Sequence, residues 1–163
     1  MEGCVSVLTG HASDAVEMIT SGISSFRSTG ATVWVVWYFL NLAAAYADLG
    51  ELDDAWRSVD ETMVAVANKE TWCEAEVNRV AGELALIGPM PDAAKAQTYF
   101  ERALGIARQQ QAKSWELRVA MSLERLWRNQ GKPHQARELL APVYGWFTEG
   151  FDTRDLKEAK ALL

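Results

Sequence analysis

At 163 residues the chain is long enough for one well-packed domain and too short for two. Hydrophobic residues make up 49% and charged residues 23%, ordinary proportions for a soluble globular protein. The net charge of −6 excludes general nucleic-acid binding, because phosphate affinity rests on many cations acting together.

The first predicted element is a helix over about Ser13 to Arg27, entered through the turn GHASDA, Gly10 to Ala15. Only nine residues precede Gly10, so most of its pairing helix is missing and Met1–Leu8 is expected to substitute in part. That pattern reads as a fragment or a stand-alone remnant of a longer array. Next comes Trp34 to Leu49, without Pro or Gly and apolar on more than one face, which marks a helix packed on several sides. Gly50 ends it, since glycine accepts the left-handed conformation at a helix stop. Asp53 to Ala67 is amphipathic, with Ala55, Val59, Met63 and Val66 on one face and its acids early, where the helix dipole favours them.

The same pairing recurs as Trp72–Ile87 with Asp92–Gln109, and as Ser114–Gln130 with Pro133–Phe147. Pro133 suits a first helical turn, where its missing N–H costs nothing. A last helix, Thr153 to Leu163, is expected to start at an Asp152 N-cap, with Asp155 in its first turn and Phe151 and Leu156 as a hydrophobic staple. No segment sustains a period of two with β-branched residues, so no strand is predicted.

These elements are punctuated alike. Gly10–Ala15, Gly50–Ala55 and Gly131–Ala136 share one spacing, and GPMPDAAKA, residues 88–96, is a fourth copy with a lengthened turn. Four residues after each alanine stands a large apolar residue: Ile19, Val59, Phe100 and Leu140. Alanine lets two antiparallel helices approach, and the residue four later packs behind it on the same face. One helix pair cannot bury both its faces, so the pairs must stack. The expectation is a single all-α domain, 1–163, with repeats at about 1–30, 31–70, 71–111 and 112–149 and a capping helix over 152–163.

Little points to chemistry. His11 and His134 lie in turns with no metal-ligand spacing, and neither HExxH, GxSxG nor GxxxxGK[ST] occurs. The carboxylates Asp53 and Asp54 start a helix, while Glu74 and Glu76 cannot share a helix face at a spacing of two. No catalytic residue, metal or cofactor is therefore expected. Cys4 and Cys73 form no cluster and read as buried small hydrophobes, no signal peptide opens the chain, and the longest apolar run is too short to span a bilayer. A reduced, cytoplasmic location follows as an expectation. The seven tryptophans read as helix-packing residues; an aromatic ligand platform would need several on one exposed face.

The repeats resemble the tetratricopeptide signature W-x2-L-G-x2-Y…A-x3-F. The chain has Phe39-x2-Leu42-Ala43-x2-Tyr46 followed by Ala55-x3-Val59, and Ala120-x2-Leu123-Glu124-x2-Trp127 followed by Ala136-x3-Leu140. The third repeat keeps Gly82 at the small position and Ala96-x3-Phe100. The period near 40 residues exceeds the 34 of that family, so its helices or turns are longer. The run from Gln109 to Leu163 is similar to the C-terminal end of large bacterial signalling proteins. Those carry a nucleotidyl cyclase or winged-helix domain, an ATPase module and a tetratricopeptide array.

The resemblance implies a right-handed α-α superhelix of about four helix pairs, with the first helix of each pair lining a concave groove. It places the groove on Trp37, Asn41, Ala44 and Asp48, then Glu76, Arg79 and Glu83, then Arg118, Ser122, Arg125 and Asn129, with Met121 as a further apolar contact. Each set also has the spacing of one helix face. The leading expectation is a non-catalytic scaffold binding a segment of another protein or of another domain of a parent signalling protein, with Arg118 and Arg125 as forks for a carboxylate. Residues 101–137 hold eight basic residues against three acids, whereas residues 1–100 hold five against fourteen, which suits such a partner. Two other readings stand beside it. One is an anionic-metabolite sensor on Arg79, Arg118 and Arg125. The other is a homodimer formed through the truncated first repeat. Mutual Glu–Arg pairing on a solvated face is the plainest account of the same residues.

Overall fold

The computed structural model describes residues 12–30, 34–67 and 71–163. Expectations resting on Met1–Leu8, Cys4, Gly10 and His11 lie outside them. The described residues form α1 (Ala12–Ser28), α2 (Val35–Leu49), α3 (Leu52–Ala67), α4 (Glu74–Leu86), α5 (Ala93–Gln109), α6 (Lys113–Asn129), α7 (Pro133–Gly145) and α8 (Arg154–Leu162), with a 3-10 turn at Thr71–Cys73 leading into α4. The chain is all-α, with no strand among the described residues, and no helix of theirs is long and apolar enough to cross a membrane.

Successive helices pack as hairpins: α2 with α3, α4 with α5, α6 with α7. The first helices also touch one another in order, α2 to α4 to α6, and α8 takes the next place beside α6. Each of α3, α5 and α7 packs against the first helix before it and the helix after it. The first helices thus form a row, with each second helix packed against its neighbours in sequence.

The repeated marks explain this arrangement. Gly50 and Gly131 sit at φ 78° and 77°, the left-handed backbone needed to turn from a first helix into a second. Asp92 caps α5, its side chain accepting from the Lys95 N–H at 2.8 Å. All four alanines and the residues four places on, Ala15/Ile19, Ala55/Val59, Ala96/Phe100 and Ala136/Leu140, are buried. The third pair is closest: a Cβ placed on Gly82 would lie 2.4 Å from Cε1 of Phe100. The ring therefore occupies the space that any larger residue would claim.

The start of α8 differs from expectation. Thr153, not Asp152, is the N-cap, and its hydroxyl donates to Gly150 O at 2.7 Å instead of capping the helix. Phe151 lies exposed against Tyr144, with ring centroids 5.8 Å apart, while Leu156 is buried. The turn closed by Gly150 takes over the start of the helix.

Where α5 meets α6, the buried Glu116 carboxylate accepts from Arg108 Nε at 2.9 Å and Lys113 Nζ at 2.7 Å. Burial alone would push this carboxyl up, but the two hydrogen bonds and then the two charges outweigh it and hold it below the usual glutamate value. A depressed folded-state value gives stability that is complete above the unfolded value near 4.3 and lost as pH falls through the folded one. Glu116→Gln should thus be less stable than wild type by about 1–3 kcal/mol at pH 7, with the difference closing towards pH 3. Thermal melts followed by circular dichroism across that range check it.

Candidate functional site

Each first helix carries one stripe that is exposed or half-buried at most positions; Glu76 and Ser122 are its buried members, at 5% and 3% exposure. On α2 it runs Trp34, Trp37, Asn41, Ala44, Asp48, all exposed or half-buried and spaced along one helix face. On α4 it runs from Trp72 through Glu76 and Arg79 to Glu83, and on α6 from Trp115 through Arg118, Ser122 and Arg125 to Asn129. The three stripes lie side by side because the three helices are neighbours in one row.

Read across the helices, the stripes form rungs. The first is aromatic. Trp72 stands between Trp37 and Trp115, with ring centroids 6.4 and 6.2 Å away, and meets Trp34 edge-on at 5.8 Å. Trp34 is 54% exposed. The Trp72 indole N–H is buried with no hydrogen-bond acceptor among the described residues, an unmet donor that ordinarily costs free energy. These rings are local to three different repeats, so only the stacking of the pairs brings them together. Sequence spacing singled out Trp37 alone. The signal for the others was their offset, with Trp72 four residues before Glu76 and Trp115 three before Arg118, each extending its stripe by one turn.

The middle rung is ionic. Arg79 grips Glu76 with two bonds, Nε to Oε2 at 2.9 Å and Nη2 to Oε1 at 3.0 Å, and reaches Glu83 at 3.3 Å. Burial would lower the Arg79 guanidinium, but the charge and hydrogen bonds of Glu76, with Glu83 and Asp155 beyond, hold it above its usual value. Arg118 lies 3.5 Å from Glu76 and donates to Asp155 of α8 at 2.7 Å. Arg125 pairs with Glu158 of α8. The carboxylates expected from a partner are thus supplied by the chain itself, because α8 lies alongside α6. Beyond this rung the Ser122 hydroxyl donates to Glu83 at 2.5 Å.

Of the remaining positions, Asn41 donates to Trp37 O at 2.7 Å, a local helix contact, and Asp48 and Asn129 are exposed. Met121 does not join the open face. It is buried among Leu117, Ala120, Leu140 and Val143, to one side of the stripe.

A shallow cavity of about 240 Å³ lies elsewhere, between Arg108, Lys113, Leu139, Pro142 and Trp146, but its two cations already hold Glu116. His134 is a surface residue 3.3 Å from Glu138. Among the described residues no group of His, Cys, Asp or Glu is arranged to hold a metal ion. Compared with protein families, with curated proteins and with solved structures, the chain matches none.

Proposed function

We propose that the protein is a non-catalytic interaction module, a tetratricopeptide-like solenoid that binds a segment of another protein across its row of first helices. The observation that carries this reading is the aromatic rung. Trp34, Trp37, Trp72 and Trp115 come from successive helix pairs onto one face, and Trp34 remains half in solvent. Large aromatic side chains gathered at a surface are the usual anchors of protein recognition, since they offer wide contact area with little conformational entropy to lose. A signalling partner, including another domain of a larger parent protein, fits this reading.

The metabolite-sensor alternative is weaker on the same geometry. Arg79, Arg118 and Arg125 each already hold one or two carboxylates, so an anionic ligand would first have to displace them. Two measurements separate the readings. Small mono- and dicarboxylic acids should leave the melting temperature unchanged. Affinity capture should retain a partner that is lost when Trp34 becomes alanine, a change at an exposed position that leaves the melting temperature near wild type. Retention indifferent to Trp34→Ala, or stabilisation by an acid that Arg118→Ala abolishes, would overturn the proposal.

A further inference from the structure

The charge of the open face is opposite to that expected from the arginine-rich sequence around it. Its stripes and the adjoining side of α8 carry Asp48, Glu76, Glu83, Asp155 and Glu158 against Arg79, Arg118 and Arg125, five carboxylates to three guanidiniums. Every one of those guanidiniums is held by a carboxylate, whereas no cation pairs with Asp48 among the described residues. Glu83 has only a 3.3 Å contact with Arg79 and the Ser122 hydroxyl, and its side chain is 38% exposed.

The surplus has a position. Asp48 stands eleven residues after Trp37 on α2, and Glu83 eleven residues after Trp72 on α4. At the helical rise of 1.5 Å per residue both carboxylates lie about 16 Å from the aromatic rung. They are on neighbouring helices. An extended peptide covers that distance in about five residues.

We infer that the segment this face takes is basic and apolar: a bulky apolar side chain on the tryptophan rung and a lysine or arginine about five residues away, lying extended along α2 and α4 with its cation between Asp48 and Glu83. The inference rests on the interaction-module reading above and adds its partner's chemistry. A carboxylate-bearing segment is disfavoured, since it would meet arginines already held by carboxylates, and Asp48, with which no cation pairs among the described residues.

The test is a bead-displayed library of random decapeptides sorted on the labelled full-length chain. It is repeated with Trp34→Ala and with the double variant Asp48→Asn/Glu83→Gln, all three checked by their melting temperatures. The expected winners pair a bulky apolar residue with a Lys or Arg four to six positions away. They should bind the Asp48→Asn/Glu83→Gln chain at least tenfold more weakly, and added salt should weaken binding to wild type. Winners rich in Asp or Glu, or basic winners indifferent to the double variant but lost with Trp34→Ala, would overturn the inference and leave the interaction module standing. A library with no enrichment, or with winners untouched by either set of substitutions, would overturn both.

Discussion

Phe100→Ala is expected to lower the unfolding free energy by about 4 kcal/mol, the largest loss of any single truncation in this core. The ring is fully buried between α4 and α5, against Gly82 on one side and within a cluster that includes Val119 and Leu123 of α6 on the other. Losing it would open a cavity at the joint of two repeats. The companion change is more discriminating. Gly82→Ala would normally favour a helix by about 1 kcal/mol, but its Cβ would meet Cε1 and Cδ1 of Phe100 at 2.4 and 2.6 Å. Overpacking of that kind costs about 1–3 kcal/mol, so the single change should be net destabilising. In the Phe100→Ala background the clash is gone, and Gly82→Ala should become neutral or stabilising. Urea unfolding followed by tryptophan fluorescence gives the four free energies of this cycle. An equal cost for Gly82→Ala in both backgrounds would show that the ring does not set the approach of the two helices.

The second large effect concerns Glu124, whose side chain is 1% exposed. Its Oε1 accepts from Arg128 Nε at 2.6 Å, while its Oε2 has no partner among the described residues. Arg128 also donates to Leu162 O of α8 at 2.5 Å. Arg128→Ala would leave a carboxylate buried without its cation and detach the last turn of α8. Removing one member of a buried pair costs about 3–5 kcal/mol. The guanidinium is half exposed, so about 2–3 kcal/mol is the expected loss, discounted for solvent. Glu124→Gln in the Arg128→Ala background should recover most of it, because an uncharged amide tolerates the site without a cation. Chemical denaturation of the single and double variants decides; no recovery with glutamine would mean that the loss lies in the α8 contact alone.

These two sites also show what could be read in advance. The glycine–alanine punctuation was legible because it records close helix packing and, at Gly50 and Gly131, a left-handed turn between helices; in the lengthened copy α4 ends at an extended Ile87 instead. The burial of Ala55/Val59, Ala96/Phe100 and Ala136/Leu140 bears it out. The small position varies as Ala43, Gly82 and Glu124, and the residue four after the alanine as Val59, Phe100 and Leu140. At Gly82 the ring of Phe100 fills the space a Cβ would need. A one-repeat pattern cannot show that contact between helices.

The open face was legible only in part for the same reason. Positions such as Arg118 and Glu76 follow from the period of one helix, and they do lie on the stripes. Arg118 finds its partners 37 and 42 residues away, Asp155 and Glu76, whereas Glu76 is also held by Arg79 three residues on. Nothing local distinguishes an arginine awaiting a ligand from one already occupied by α8. The same limit hid Trp72 and Trp115, which become a group only when three repeats are laid side by side.

The order of the rungs gives the face a direction. All three first helices run from their tryptophans toward their C-terminal ends, where Asp48 and Asn129 stand exposed, so the face is aromatic at one edge, ionic in the middle, where Glu83 joins Arg79, and carboxylate or amide at the other. A segment lying along the helices meets these surfaces in sequence and cannot be turned end for end without exchanging its apolar anchor for its charge. A peptide and its reversed sequence have the same composition and net charge, yet this surface would tell them apart.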